Sequence, residues 1–314
     1  MKMNRLLISL CAVGCVALFV SFVLSVSAGP ASAPSFAGSQ FQRTVDPSER
    51  SAFGTVKFKK DGLKQSVVIQ VNNLAEESFG IFIGDFPFFT TNVLLDTVSL
   101  LNRASVKKGT WYSVMKSDNG APLEFSVNDL DDLAGTFLTV AKPEDINLLI
   151  GVTNVIGNVT NVIFGQEIPS SSTTTVFAVL WAPVPALSAN PSADSFSRKA
   201  NFALADSPLP NPQSKAIVQT KFNAVQGRSI LDVRATGLVQ GQEYSVWIID
   251  VDGLIFVPAG DMTVNRNGSS ARFIRDTQFG DPLPQQSRDV RDLSGRAIVI
   301  RDKFGNVHLE GIIP

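Results

Sequence analysis

One pattern occurs twice in this chain, and it constrains the fold more than any single motif. Asp132-Leu133-Ala134-Gly135 returns as Asp292-Leu293-Ser294-Gly295, and at the same offset of 160 residues Leu149 and Gly151 match Leu309 and Gly311. Upstream, Val67, Ile69, Val71 and Leu74 align with Leu231, Val233, Ala235 and Leu238. After a one-residue slip, Phe79, Ile81, Ile83 and Asp85 align with Tyr244, Val246, Ile248 and Asp250. Such a recurrence describes a tandem duplication, and each copy, at roughly 120 to 145 residues, is long enough to bury a core of its own.

The spacing within each copy is that of β-structure. Runs such as Ser66 to Val71, Phe137 to Val140, Ile230 to Ala235, Tyr244 to Ile249 and Ala297 to Ile300 are short, rich in β-branched or aromatic residues, and often alternate apolar with polar. Turn chemistry separates them at Asp61-Gly62, Asp118-Asn119-Gly120, Asp252-Gly253, Asn267-Gly268 and Phe304-Gly305-Asn306. The expected fold class is therefore all-β: two tandem, related β-sandwich domains of Ig-like or Greek-key type behind an N-terminal signal segment. The domains are placed at 36–181 and 196–314. Between them, 182–195 has the Pro, Ala and Ser content of an exposed linker. The segment from Asn92 to Val106 is the best place for a short helix. A smaller echo, Val152 to Ile156 and Val159 to Ile163 joined by Gly157-Asn158, predicts a hairpin with a type II′ turn. Together with the apolar run Thr175 to Trp181, it reads as an addition to the first copy only.

Residues 1–33 read as an export signal. Lys2 and Arg5 form a positive head, an uncharged apolar stretch runs from Leu6 to Val26, and small residues up to Ala28 and Ala33 offer cleavage sites. The stretch approaches the roughly 20 residues that span a bilayer, so an uncleaved anchor over 6–26 is the alternative. Both cysteines, Cys11 and Cys15, lie inside this segment, which leaves the mature chain without a thiol and dependent on its hydrophobic cores. The expected location is extracytoplasmic, periplasmic or secreted, with membrane contact only through the N-terminal segment.

Charge is balanced, with 27 Lys and Arg against 28 Asp and Glu. The one-signed excess of a nucleic-acid binder is missing. Arginines concentrate in the second half, from Arg266 to Arg301, but interleaved aspartates neutralise them, as on a solvated sheet face. His308 is the sole histidine, so a zinc, copper or haem site has no ligand set, and no Gly-x-Ser-x-Gly elbow accompanies it. No catalytic residue and no cofactor is assigned. Carboxylates remain. Asp129, Asp131 and Asp132 cluster ahead of the first Asp-Leu-x-Gly, and Asp250-Val251-Asp252-Gly253 opens like a calcium loop, which makes Asp250 and Asp252 candidate calcium ligands. Aspartates at strand ends also form turns through side-chain bonds to backbone, which is the competing reading. Phe86, Phe88 and Phe89 follow a break in the strand pattern at Gly84-Asp85 and Pro87 and are candidates for an apolar patch that binds a partner. Packing at one end of a sandwich is the alternative.

Each copy opens with a comparable run, Phe41-Gln-Arg-Thr-Val-Asp-Pro47 leading to Ser51-Ala-Phe-Gly54, and Phe202-Ala-Leu-Ala-Asp-Ser-Pro208 leading to Ser214-Lys-Ala216. Each then has a strand ending in Asn73-Leu74 or Gly237-Leu238, and later the Asp-Leu-x-Gly run. This order resembles the chordin-type (CHRD) repeat, a β-sandwich module of exported proteins. The family's histidines after the Gly-Leu strand are replaced here by Phe79-Gly-Ile-Phe-Ile83 and Tyr244-Ser-Val-Trp-Ile248, so the resemblance carries over no metal or catalytic residue. The expectation is an exported, non-enzymatic binding or structural module whose partner is an unidentified protein or envelope component. The alternatives are a carboxylate-dependent hydrolase acting on envelope glycans and a calcium-stabilised adhesion protein.

Overall fold

The computed structural model describes residues 33–44, 51–74, 78–84, 99–105, 109–118, 123, 128–141, 152–156, 159–163, 178–206, 211–250, 252–265 and 268–314. The chain divides into two compact units, Met1–Ala33 and Pro34–Pro314, and all described residues except Ala33 belong to the second. Among them no helix is long and apolar enough to cross a membrane.

The first half contains β1 (Ser35–Arg43), β2 (Phe53–Asp61), β3 (Lys64–Leu74), β4 (Ser78–Gly84), β5 (Ser99–Ser105), β6 (Gly109–Ser117), β7 (Phe137–Ala141), β8 (Val152–Ile156), β9 (Val159–Ile163) and β10 (Ala178–Pro183). Eight of these form one antiparallel sheet in the order β5-β4-β7-β10-β1-β2-β3-β6, while β8 and β9 pair with each other. β1 turns the corner of this sheet. Its residues from Ser35 to Phe41 pair with β2, whereas Gln42 and Arg43 pair with β10. The two arms thereby close over one core, in which Val56, Phe58, Val67 and Ile69 from one arm belong to the same cluster as Ile81, Leu138, Val140 and Leu180 from the other.

The second half contains β11 (Phe196–Asn201), β12 (Ala203–Leu204), β13 (Lys215–Asn223), β14 (Arg228–Thr236), β15 (Tyr244–Ile249), β16 (Phe256–Asp261), β17 (Thr263–Val264), β18 (Ser270–Asp276), β19 (Ala297–Asp302) and β20 (Val307–Ile312). They make two five-stranded sheets, β11-β13-β14-β18-β17 and β12-β20-β19-β15-β16. The corner strand is here broken at Phe202, so β11 and β12 serve different sheets. Alternation dictates the facing. In β13, Ala216, Val218, Thr220 and Phe222 are buried while Lys215, Ile217, Gln219 and Lys221 point outward. Burying a Val or Phe is worth about 1.5–3 kcal/mol, so a one-residue slip that turned this set outward is strongly disfavoured. The core, from Ala216 to Ile313, shares no residue with that of the first half.

The repeated Asp-Leu-x-Gly run has a structural explanation. Leu130–Leu133 and Val290–Leu293 are single 3-10 turns, capped by Asp129, whose carboxylate accepts from Asp131 N at 3.0 Å, and by Asp289, which accepts from Arg291 N at 2.8 Å. Leu130, Val290 and Leu293 are buried. The glycines that follow have φ of 91° and 82°, a region that side chains avoid. Their N–H groups donate to Val184 O and Ile313 O at 2.9 and 2.8 Å. Each turn thus staples the sheet end to the strand that closes its half.

That pairing corrects the alignment of the last strand. Leu180 lies opposite Val140 and Arg43, as Leu309 lies opposite Ile300 and Leu204. β10 is therefore the counterpart of β20, and Thr175 to Trp181 is not an addition to the first half: its described residues 178–181 are part of the closing strand. Leu149 and Gly151, matched by offset to Leu309 and Gly311, lie outside the described residues. What distinguishes the first half is the stretch between β7 and β10, where the second half has only a tight turn at Asp302–Asn306. The hairpin expected at 152–163 is present as β8 and β9, in register from Val152 opposite Ile163 to Ile156 opposite Val159. The helix expected within 92–106 is replaced over 99–105 by β5, an edge strand whose pairing with β4 overrides the weak local preference of Ser-Leu-Leu-Asn-Arg-Ala-Ser. The segment 182–195 has linker composition, yet its beginning is folded into the first half. Ala182 and Val184 are buried, and Ser188 exchanges backbone hydrogen bonds with Phe36 at 2.8 and 3.0 Å.

Candidate functional site

Two concavities flank the seam between β1 and the second half. Gly38 packs against the turn after β13, and a Cβ on it would overlap Val225 O. A Cβ on Gly227 would overlap Gly38 O. Two backbones thus touch with no side chain between them. Next in β1, Gln40 Nε2 donates to Gln226 O at 2.6 Å. Gln42, which is 1% exposed, uses its whole amide: Nε2 donates to Ser287 O and Arg288 O, each at 3.1 Å, and Oε1 accepts from Leu283 N at 2.9 Å. Arg43 follows, donating to Phe279 O at 2.7 Å and pairing with Asp281 at 2.6 Å.

On one side of this seam is a cavity of about 480 Å³, lined by Phe36, Val184, Leu187, Phe222, Arg288 and Arg291 among others. Its two arginines are neutralised within the lining, and Asp194 adds a further negative charge. Arg291 pairs with Asp289 at 2.7 Å and lies over the Phe222 ring, and Arg288 pairs with Asp292 at 3.3 Å. A recess of this kind suits water or a small neutral polar group better than a multivalent anion. On the other side Phe137 of the first half faces Asp250, Gln285 and Arg296 of the second. Gln285 and Gln286 both have φ of 55°, a left-handed conformation that costs on the order of 1–3 kcal/mol per residue and needs support from its surroundings. The support for Gln285 is its side chain, which donates to Ile248 O and Ile249 O at 3.1 and 2.9 Å and accepts from Arg296. The strain therefore presents Leu283 to Arg288 in the shape that receives Gln42.

The residues singled out from sequence are distributed as follows. Asp250 lies at this second concavity, with Oδ1 accepting from Leu254 N at 2.8 Å and Ile255 N at 3.4 Å, so it shapes the turn between β15 and β16. Asp252 is exposed in the same turn. Among the described residues no group of three or more His, Cys, Asp or Glu side chains is arranged to hold a metal ion. Phe86, Phe88 and Phe89 lie outside the described residues. Lys60 holds Asp129 at 2.6 Å and also bonds Asp131, and its hydrogen bond keeps the Asp129 carboxyl below the usual range. His308 is buried, with Nε2 3.1 Å from Asp302 Oδ2 and its ring edge-on to Tyr244 at 5.5 Å. Burial pushes the Asp302 carboxyl up, but hydrogen bonds from Asn306 and His308, and from the backbone of Asn306 and Phe304, more than offset it and hold the group below its ordinary value. Burial raises the Tyr244 phenol. This trio fixes the turn from β19 to β20.

Sequence reasoning missed Gly38, Gln42 and Gln285. The one available signal was the alternation Gly38, Gln40, Gln42 on the face of β1 opposite to Phe41, which a strand with a solvated face shows equally well. No known family model matches the chain, and no curated protein shows significant similarity to it.

Proposed function

We propose that this chain is an exported, non-enzymatic binding or structural module of the cell envelope, made by duplication of one β-sandwich unit similar to the CHRD repeat. The matching strand order of the two halves supports the duplication. The observation that carries the non-enzymatic reading is where the reactive groups are used. Asp129, Asp250, Asp276, Asp289 and Asp302 each accept backbone N–H groups within their own turns, and His308 is enclosed behind Asp302. A general acid or base needs a carboxyl or imidazole free to meet substrate, and these are committed to holding the fold. Gln42 and Arg43 tie the halves together, which suits a rigid recognition surface better than a pair of independent modules.

The test is to incubate the purified mature protein with peptidoglycan and acidic envelope polysaccharides and to measure released reducing ends. None above the background of a heat-denatured sample is expected. Release that disappears in Asp129→Asn or Asp250→Asn would establish the hydrolase instead. Melting with and without millimolar calcium tests the adhesion alternative, and the expected change is below about 1 °C, because linkage stabilisation needs a bound ion.

A further inference from the structure

The outward face of the second half's β12-β20-β19-β15-β16 sheet differs from its counterpart in the first half. In the first half one cross-strand row runs Gln42, Trp181, Thr139, and all three are buried, Gln42 beneath residues 283–288. The same row in the second half runs Ala203, Glu310, Val299, Trp247, Pro258; Val299 at its centre is buried and Trp247 half-buried, while Ala203, Glu310 and Pro258 are exposed. Beside it Phe256 pairs with Ile249, and Ala297 with Ile312, which is 54% exposed. Arg301 crosses this apolar surface, its Cζ 4.7 Å from the Trp247 ring centroid and 5.3 Å from that of Phe256. Trp247 Nε1 is taken up by Ser245 Oγ at 2.9 Å, which fixes the indole.

Arg301 is the unusual group. Its guanidinium forms no ion pair with any described residue, which is true also of Arg198, Arg275 and Arg296, but among the described arginines Arg301 is the one whose buried nitrogen, Nε, lacks a hydrogen-bond partner. A buried donor without an acceptor has given up its water for nothing, so its retention calls for a reason. With Nε turned in among the rings, Nη1 and Nη2 are the donors left for a ligand. A planar fork of that kind matches a carboxylate.

We propose that this face binds a carboxylate-bearing glycan, a uronate-type chain lying across the strands with sugar faces on Trp247 and Phe256 and one carboxylate on Arg301. Four strands at about 4.8 Å spacing give a platform of roughly 15–19 Å, enough for a few sugar rings. Glu310, toward the other end of the row, repels carboxylates and sets which way the chain lies. The proposal rests on the reading of the protein as a binding module and adds the ligand class.

The experiment is isothermal titration of the mature protein at low ionic strength with oligogalacturonate, with a neutral cello-oligosaccharide of equal length and poly-glutamate as comparisons. Oligogalacturonate is expected to bind, with at least tenfold weaker binding for Arg301→Gln, an intermediate loss for Arg301→Lys, and circular dichroism unchanged in both. No binding of oligogalacturonate at millimolar concentration overturns the proposal, as does binding that Arg301→Gln leaves intact. Equal binding of the neutral chain removes the role of Arg301, and equal binding of poly-glutamate makes the surface one for acidic protein; either result overturns it. Shortening of the oligogalacturonate during titration would strike the non-enzymatic reading instead.

Discussion

The strand that opens each half follows the same course, but β1 has six of its nine residues buried and β11 and β12 have none. Register makes the comparison residue by residue. Gly38 answers to Lys199, Gln40 to Asn201, Gln42 to Ala203 and Arg43 to Leu204. The backbone is wired alike in both, so the difference lies in what each strand meets beyond its own half. β1 carries a bare backbone and two amides fitted to the turn at 225–227 and the loop at 283–288. The second half carries a lysine where backbone contact would be needed and an alanine where the amide would be. A contact between unlike surfaces of similar units can repeat from unit to unit only if each unit presents both surfaces, and with Lys199 and Ala203 the second half does not present the one that β1 offers.

The most severe way to break this asymmetry is at the backbone contact. Gly227→Ala adds a Cβ that overlaps Gly38 at a left-handed φ of 61°, and a loss of about 3 kcal/mol or more is expected in urea unfolding. Lys199→Ala, at the matching exposed place, should stay within about 0.5 kcal/mol. Next comes Gln42→Ala, which strands Leu283 N, Ser287 O and Arg288 O. We expect a loss of about 1–3 kcal/mol, while Ala203→Gln should change little. Arg43→Ala is expected to cost about 1 kcal/mol, because its pair with Asp281 is partly solvated. The smallest effect at neutral pH is acid sensitivity. Asp232, where burial opposes and the Arg272 and Arg234 hydrogen bonds prevail, and Asp302 are both held below the ordinary carboxyl value of 3.8. A depressed folded pKa gives stability that is present above 3.8 and lost as pH falls through the folded value. Hydrogen exchange in that window should show β14 and the turn after β19 losing protection before β2 and β3; the reverse order would contradict this.

Much of the fold was legible because its code is local. Alternation gave β3, β14 and β15, and the recurrence of Asp-Leu-x-Gly marked two turns whose aspartates cap their own backbone. The last strand of the first half was misplaced because a constant offset was extended past β7, across a connection of a different length, and apolar runs such as Leu148 to Val152 and Val176 to Leu180 look alike to a pattern that knows only hydrophobicity. The seam between the halves was illegible for another reason. Nothing near Gln42 in sequence indicates that its partners lie some 245 residues away. The stack of Arg301 on Trp247 and Phe256 likewise depends on three strands coming together, and each of those residues taken alone is an ordinary strand residue.

The buried amide of Gln42 also orders events in time. A chain that emerges N-terminus first delivers β1 well before the backbone groups that satisfy it, which belong to residues 283–288 and follow 241 to 246 residues later. Until then the strand has an unfilled polar face and half of its corner, since β10 too comes late. Contacts this distant in sequence slow folding. The first half therefore completes its own opening strand only with backbone supplied by the second, so the two halves share one closing step although their cores are separate.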